Sequence, residues 1–162
     1  SVGRLVPEKA FDVLVAAHRA SGTPRKLVIA GGADHESPYS KRLLGEADES
    51  VIFTGALPRE QLQQLYANAA LFVLASSHEG LPIAALEAGS IGCPMLLSDI
   101  QPNRDLGLPA DNYFPVGNTE ALADALRKDP AEFAVANNAF DEFDWDRVAA
   151  QTLAVYRSVL EL

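Results

Sequence analysis

Two glutamates, Glu79 and Glu87, lie eight positions apart on either side of a Gly-Leu-Pro turn in the segment ASSHEGLPIAALEAG. Ser76 and Glu79 fit the S-x-x-E pattern of a helix cap. That cap would place Pro82 about six positions into the helix, where proline removes a backbone hydrogen bond and costs roughly 3 kcal/mol. Pro82 suits the first helical position better. The spacing therefore predicts Glu79 in the loop before a helix, at the carboxyl end of a strand, and Glu87 within the helix.

The predicted distance between the two carboxylates limits the chemistry that they share. At a rise of about 1.5 Å per residue, Glu87 lies about 7 Å along the helix from Pro82 and about 10 Å from Glu79. Two carboxylates that act on one anomeric carbon in a retaining glycosidase lie only about 5.5 Å apart. Carboxylates also accept hydrogen bonds from vicinal hydroxyls, as in the ribose sites of dinucleotide folds. We therefore expect this pair to bind two separate polyol groups of one long ligand.

The segment GRLVPEK near the start of the chain supplies two positive charges. Lys9 is predicted in the first turn of a helix, where the helix dipole disfavours a cation, and Arg4 lies just upstream in the same strand-to-helix turn. A bound anion would offset this cost. Two cations near helix N-termini, with carboxylates beside them, predict a pocket for a diphosphate that carries a sugar at each end. The alternative is that Arg4 and Lys9 are solvated surface charges.

Continuously apolar runs such as KLVIA, LFVLA and PMLLS alternate with longer segments of helical period. This order is typical of βα units in which helices cover both faces of a parallel sheet. We predict a single α/β domain over residues 1–162, with a doubly wound, Rossmann-like parallel sheet in three α/β/α layers. The predicted strands cover a stub at 1–2 and residues 26–30, 51–54, 71–74, 95–98 and 112–114.

Helices are predicted over PEKAFDVLVAAHRAS, SPYSKRLLGEADE, PREQLQQLYANA, PIAALEAGSIG and NTEALADALRK, with one or two more in residues 130–162. In the first of these, Pro7 suits the first helical position and His18 falls on the apolar face, which indicates a core or interface histidine. Apolar side chains are expected to anchor residues 130–162: Phe140, Phe143, Trp145, Val148, Leu153, Val155, Tyr156 and Leu160.

The composition argues against several classes of protein. A net charge of −9 and a pI near 4.7 disfavour nucleic acid as a partner, because a polyanion is normally bound by a basic surface. No apolar run approaches the roughly 18 residues of a membrane span, and the N-terminus does not resemble a signal peptide. The single cysteine, Cys93, excludes an internal disulfide, fits a reducing cytoplasm and is interpreted as a buried small hydrophobe. GGADHE differs from G-x-G-x-x-G, which argues against a nicotinamide site.

The chain begins with SVGRLVPEK, without an initiator methionine and where a strand is already ending, so we expect a domain excised from a longer protein. Four segments resemble the C-terminal, donor-binding half of retaining glycosyltransferases of the twin-Rossmann (GT-B) type, group 1 or family 4. They are GRLVPEKAFDVLVAA, LVIAGG, the run from VIFTGALP to PMLLSD, and FDWDRVAAQTLAVYRSVL. The most specific feature is the E-x(7)-E spacing joined to Gly-Leu-Pro, in its order relative to Arg4 and Lys9.

The resemblance implies three catalytic residues. Glu79 would bind hydroxyls of the transferred sugar. Arg4 and Lys9 would neutralise the departing diphosphate, a task that a divalent metal performs in other transferases. The implied donor is a UDP- or GDP-linked hexose, transferred with retention and without a metal ion or other cofactor.

The resemblance also implies residues that bind the donor. Glu87 would hold the ribose hydroxyls, and Leu57 would lie near the base. The turn Gly80, Leu81 and Pro82 would line the sugar and the diphosphate.

The resemblance places the acceptor pocket in an N-terminal domain of the same protein, so this chain alone is expected to bind donor weakly and transfer nothing. The acceptor is unknown, with a glycan or a lipid-linked sugar as candidates. The expected location is the cytoplasm, with peripheral membrane contact through the missing domain. His78 is interpreted as a loop histidine beside the site, and His35 as a candidate for the cleft between the domains.

Two other functions stay open from the sequence. A sugar-nucleotide epimerase or a phosphorylase uses a related twin-domain architecture, and a product assay on the intact protein separates these from a transferase. The chain could instead be a non-enzymatic α/β interaction module, which calorimetric titration with UDP, GDP and ADP would test.

Overall fold

The computed structural model describes residues 1–33, 35–136, 139–140, 143 and 145–160, in which strands alternate with helices. The strands are β1 (Leu27–Ala30), β2 (Val51–Gly55), β3 (Phe72–Leu74), β4 (Met95–Ser98) and β5 (Tyr113–Phe114). The helices are α1 (Phe11–Ser21), α2 (Pro38–Leu44), α3 (Arg59–Asn68), α4 (Ile83–Ser90), α5 (Gln101–Arg104), α6 (Thr119–Arg127) and α7 (Trp145–Leu160). Shorter 3₁₀ turns cover Pro7–Lys9, Ala110–Asn112 and Pro130–Phe133.

The strands pair in parallel, and β3 and β4 are buried on both faces. Strand β4 shows this directly, because successive side chains of a strand point to opposite faces. Leu96 packs in one hydrophobic core with Phe11 of α1 and Leu122 of α6. Met95 and Leu97 point to the other face and pack in a second core with residues of α3 and α4. The prediction of a doubly wound sheet between two helical layers is therefore confirmed.

The paired strands form two groups, β1-β2 and β3-β4-β5. The start of the chain runs beside β1 at its carboxyl end, where the Ala30 N–H donates to the Ser1 carbonyl and the Gly3 N–H donates to the Ala30 carbonyl, both at 2.9 Å. The predicted stub strand is thus a single parallel bridge between Val2 and Ala30.

Helix α1 begins later than the sequence predicts. Pro7 opens a separate 3₁₀ turn that ends at Lys9, and Ala10 follows in the left-handed conformation, with φ of 47°. The Ala10 N–H donates to the Pro7 carbonyl and closes this turn, so the α-helix starts at Phe11. The prediction that Lys9 lies in the first turn of an α-helix is wrong. Lys9 instead ends the 3₁₀ turn.

Helix α4 begins one residue after Pro82, which is its N-cap rather than its first residue. Glu79 lies before the helix and Glu87 within it, as predicted. The short helix α5 and the 3₁₀ turn at Ala110–Asn112 were not predicted, because three or four residues are too few to show a helical period.

The expected apolar anchors near the C-terminus divide into two groups. Phe140 is buried and Phe143 packs partly against the same core. The apolar side chains of α7 are exposed, so the prediction that they anchor this segment is wrong for these six: Trp145, Val148, Leu153, Val155, Tyr156 and Leu160. A helical period identifies the helix and its apolar face but not whether that face is buried.

His18 and Cys93 are buried, as predicted. The His18 ring lies 2.8 Å through Nε2 from the Arg25 carbonyl. No helix among the described residues combines the length and apolarity needed to cross a membrane.

Candidate functional site

Lys9 and Glu79 meet although 70 positions separate them in the chain. The Lys9 Nζ atom donates to Glu79 Oε1 at 2.6 Å, and the two side chains are 20% and 8% exposed. Glu79 follows β3, and Lys9 follows the segment that bridges Ala30 of β1. The ion pair therefore lies where parallel strands end, which is where open α/β sheets bind ligands.

A chain of buried polar groups positions Glu79. The Ser76 hydroxyl donates to Glu79 Oε1 at 2.6 Å, and the Ser98 hydroxyl donates to the Ser76 carbonyl at 2.6 Å. The Asn103 amide in turn donates to both the carbonyl and the hydroxyl of Ser98. Ser76, Ser98 and Asn103 are fully buried, so this network holds the loop after β3 to β4 and α5. Both contacts to Glu79 use Oε1, which leaves Oε2 outside these two bonds.

Two backbone contacts hold the turn that carries Arg4 and Lys9. The Leu5 N–H donates to the Gly32 carbonyl at 2.9 Å, and the Ser77 N–H donates to the Glu8 carbonyl at 2.8 Å. The first contact joins the turn to the loop after β1, and the second joins it to the loop after β3. Arg4 is exposed on this turn. The structure thus places Arg4 and Lys9 on one short segment at the carboxyl edge of the sheet.

Glu87 faces a small groove between α3 and α4. The Tyr66 hydroxyl donates to Glu87 Oε2 at 3.0 Å, and the groove has a volume of about 100 Å³. Burial, and then the neighbouring Glu87 carboxylate, raise the pKa of the Tyr66 hydroxyl, so the phenol keeps its proton at neutral pH and donates to Glu87. Arg59, the first residue of α3, also lines this groove.

The remaining predicted site residues lie in loops at the same edge of the sheet. Gly80 and Leu81 are exposed, Leu81 by 45%, and a Cβ atom on Gly80 would meet no atom within 4 Å. Pro82 is buried at the N-cap of α4, and Leu57 is half-buried between β2 and α3. The Ser77 hydroxyl lies 3.0 Å from Nδ1 of His78, whose side chain is exposed in the loop beside Glu79. His35 is exposed in the segment after β1.

The residues that position the two glutamates were not predicted from the sequence. Tyr66 carried one usable signal, because a tyrosine among the apolar positions of a helix usually finds a hydrogen-bond partner when it is buried. Ser76 was considered only as a helix cap, and its observed partner is the Glu79 carboxylate rather than the start of α4.

Among the described residues, no three His, Cys, Asp or Glu side chains form a group that could hold a metal ion. The sequence contains one Asp-x-Asp triplet, at Asp144-Trp145-Asp146. Asp144 lies outside the described residues, and Asp146 lies in the first turn of α7.

Comparison with known proteins identifies the family. A profile of the family described as glycosyl transferases group 1 matches residues 1–129. The chain belongs to the group 1 glycosyltransferases. The resemblance found in the sequence is thereby confirmed.

Individual group 1 glycosyltransferases extend the match. The chain is 30% identical to a D-inositol 3-phosphate glycosyltransferase of Acidothermus cellulolyticus, over 98% of this chain and 40% of that protein. It is 34% identical to a GDP-mannose-dependent alpha-mannosyltransferase of Mycobacterium tuberculosis, over 77% of this chain and 32% of that protein.

A solved structure has the same fold. The structure of Anabaena Alr3699/HepE in complex with UDP-glucose superposes with a TM-score of 0.79 at 22% identity, over 99% of this chain and 48% of that one. The chain therefore spans less than half the length of each of these three proteins.

Proposed function

We propose that this chain is the donor-binding domain of a group 1 glycosyltransferase and binds a nucleotide-diphosphate sugar at the carboxyl edge of its sheet. The whole protein would transfer a hexose to its acceptor with retention of configuration, and an N-terminal domain would supply the acceptor pocket. The observation that carries this proposal is the Lys9–Glu79 contact, which brings a cation for phosphate and an acceptor for sugar hydroxyls to one point.

Lys9 and Glu79 would bind different parts of the donor, the phosphate and the sugar. An ammonium group has three N–H donors, so Lys9 can bond a phosphate oxygen while it keeps its bond to Glu79. Arg4, on the same turn, adds a guanidinium that suits phosphate geometry. Oε2 of Glu79 would accept bonds from hydroxyls of the transferred sugar, next to the diphosphate that leaves. Lys9 and Arg4 would then stabilise the charge that develops on the leaving group, without a metal ion.

The Glu87 groove would hold the nucleoside. A carboxylate fixed by the Tyr66 hydroxyl still has lone pairs for the two ribose hydroxyls. Leu57 precedes α3, whose first residue lines the groove, so the base would lie against the loop after β2. The turn of Gly80, Leu81 and Pro82 joins the two glutamates and would run along the sugar and the diphosphate.

The donor is proposed as a UDP- or GDP-linked hexose. One related protein is named for GDP-mannose, and a structure of the same fold contains UDP-glucose. The acceptor is proposed as a glycan or a lipid-linked sugar. A cytoplasmic location is proposed with them, in keeping with a single buried cysteine and no disulfide.

Calorimetric titration of the chain with UDP-glucose, GDP-mannose and ADP-glucose tests the proposal. We expect one of the first two to bind with a stoichiometry of one and the others to bind at least about tenfold more weakly, a difference of about 1.4 kcal/mol. The intact protein should then form a new glycosidic bond, with the anomeric configuration of the donor, when it is given that donor and an acceptor. Absence of heat and of chemical-shift changes with all three would contradict the proposal and favour an interaction module.

Replacing Glu87 with glutamine should weaken nucleotide binding without affecting the phosphate site. We expect about a tenfold loss of affinity for the nucleoside diphosphate, because a hydrogen bond to a charged acceptor contributes about 1.5–3 kcal/mol and the amide keeps one acceptor oxygen. Affinity for inorganic pyrophosphate, which has no ribose, should not change. The matched control is Glu49→Gln, an exposed residue before β2 at the opposite edge of the sheet. Equal losses for both ligands would exclude the ribose role.

Replacing Tyr66 with phenylalanine should produce a smaller change of the same kind. The Glu87 carboxylate would stay but lose the hydroxyl that fixes its orientation, so we expect a threefold to tenfold loss of nucleotide affinity, about 0.7–1.4 kcal/mol. Pyrophosphate affinity should again stay constant. Tyr39→Phe is the control, because its hydroxyl donates to Asp12 on the surface of α1. An unchanged nucleotide affinity in Tyr66→Phe would show that the hydroxyl does not position Glu87 for the ligand.

A further inference from the structure

The polar side chains of the Glu87 groove differ in the bonds that they can still form. Two are engaged with each other or with the backbone: the Tyr66 hydroxyl donates to the Glu87 carboxylate, and the Ser90 hydroxyl donates to the Glu87 carbonyl at 2.8 Å. Gln63 can both donate and accept. Arg59 can only donate, because a guanidinium carries five N–H groups and no acceptor. Arg59 therefore selects ligand atoms that accept hydrogen bonds.

Arg59 lies at the end of the groove nearest the carboxyl edge of the sheet. Strand β2 ends at Gly55, and α3 begins at Arg59 after the loop 56–58. Tyr66 follows about two turns later, about 10 Å along the same helix. Long side chains on a helix slant toward its N-terminus, so Arg59 extends toward the loop that contains Leu57. A ribose held by Glu87 would therefore direct its base toward this loop and the Arg59 guanidinium.

The Arg59 side chain is available to a ligand. It is exposed, and within the part of the chain that the structure describes it has no ion-pair partner. Glu87 in the same groove is bonded to Tyr66 and forms no ion pair with Arg59. The dipole of α3 disfavours a cation at the first residue of the helix. Acceptor atoms of a bound ligand would offset this cost.

The nucleotide bases differ in the acceptors that they present to a guanidinium. Guanine places O6 and N7 side by side, and an arginine can donate to both at once. Adenine has the N7 acceptor next to its N6 amino group, whose hydrogens would face the donors of Arg59. Uracil, like thymine, has the single acceptor O4 at the corresponding edge. A donor-only side chain of this geometry therefore favours guanine.

We propose, on the basis of the nucleotide site proposed above, that Arg59 selects a guanine base by donating to its O6 and N7 atoms. The donor of this chain would then be a GDP-linked sugar. Leu57, which is half-buried in the loop before α3, would cover one face of the base and leave the edge of the base to Arg59.

Calorimetric titration of the chain with four diphosphates tests the role of Arg59. They are GDP, UDP, ADP and 7-deaza-GDP, in which carbon replaces N7. We expect GDP to bind about 10- to 100-fold more tightly than ADP, and more tightly than UDP. The loss of the N7 acceptor should make 7-deaza-GDP bind at least about threefold more weakly than GDP.

The Arg59→Ala variant should lose the preference for guanine. We expect its affinity for GDP to fall about 10- to 100-fold, with its affinities for ADP and for inorganic pyrophosphate within about threefold of the unchanged chain. Arg59→Lys keeps the charge without the paired donors, so it should stay at least about threefold weaker than the unchanged chain for GDP. The matched control is Arg42→Ala on α2, where the guanidinium lies 5.7 Å from the centre of the Tyr39 ring.

Three results would overturn the proposal while the nucleotide site stands. The first is an equal loss for GDP, ADP and pyrophosphate in Arg59→Ala, because Arg59 would then act on the diphosphate through its charge. The second is an equal loss for GDP, UDP and ADP with pyrophosphate unchanged, because the guanidinium would then stack on the face of any base. The third is tighter binding of UDP than of GDP by the unchanged chain. Absence of binding for all four nucleotides and for pyrophosphate would overturn both this proposal and the proposed function.

Discussion

Replacing Lys9 with alanine is expected to lower the affinity for a nucleoside diphosphate by 10- to 100-fold. A hydrogen bond between a cation and a phosphate oxygen contributes about 1.5–3 kcal/mol, and Lys9 is the cation that the structure holds against Glu79. Affinity for inorganic pyrophosphate should fall by the same factor, whereas uridine or guanosine should bind as before. Isothermal titration calorimetry of the variant with these three ligands measures the difference.

The Lys9→Ala variant also loses the cation beside a glutamate that is only 8% exposed. Because the pair is partly screened by solvent, we expect a loss of about 1–2 kcal/mol in the free energy of unfolding rather than the larger cost of a fully buried pair. Titrations are therefore done below the unfolding transition of the variant. The control is Lys41→Ala on α2, where the lysine forms an exposed ion pair with Glu36. If Lys9→Ala keeps its affinity for pyrophosphate, Lys9 does not bind the diphosphate.

Replacing Gly31 with alanine is expected to have the largest effect on stability. A Cβ atom at this position would lie 1.9 Å from the Gly3 carbonyl oxygen, and the φ angle of 142° is one that residues with a side chain rarely adopt. Neither the backbone of Gly3 nor that of Gly31 can move away easily, because the Gly31 N–H donates to Gly55 and the Gly3 N–H donates to Ala30. We expect a loss of about 3 kcal/mol or more in the free energy of unfolding, or failure to fold.

Urea unfolding followed by circular dichroism measures this effect. Gly22→Ala is the matched control, since Gly22 has a φ of 64° at the end of α1 and a Cβ atom there would meet nothing within 4 Å. The control should lose only about 1 kcal/mol, the cost of the backbone conformation alone. Similar losses in both variants would show that the backbone of Gly3 does not restrict the residue at position 31.

The sequence predicted the elements well where local pattern decides the structure. The apolar runs of β3 and β4 are buried on both faces. The absence of alternating polar residues in these runs is what predicted that burial. The position of Pro82 was enough to place Glu79 outside α4. The left-handed conformation of Ala10 could not be predicted from the local sequence, because it depends on the packing of the turn around it.

The site was predictable only in part, because contacts between distant segments leave little trace in local spacing. The charges of the sequence predicted Lys9 and Glu79 at the same edge of the sheet, and the structure places them in contact. It could not find Tyr66, which reaches Glu87 from α3, 21 positions earlier. The exposed apolar face of α7 shows the same limit, since a helical period predicts an apolar face but not whether it is buried.

A structure of the intact protein with its nucleotide-diphosphate sugar bound tests the proposed site most directly. Phosphate oxygens should lie about 3 Å from Lys9 Nζ, and the ribose hydroxyls at the same distance from the Glu87 carboxylate. The sugar hydroxyls should lie within hydrogen-bond distance of Glu79. A nucleotide bound away from the carboxyl edge of the sheet, with Lys9 still paired to Glu79 alone, would contradict the proposed site.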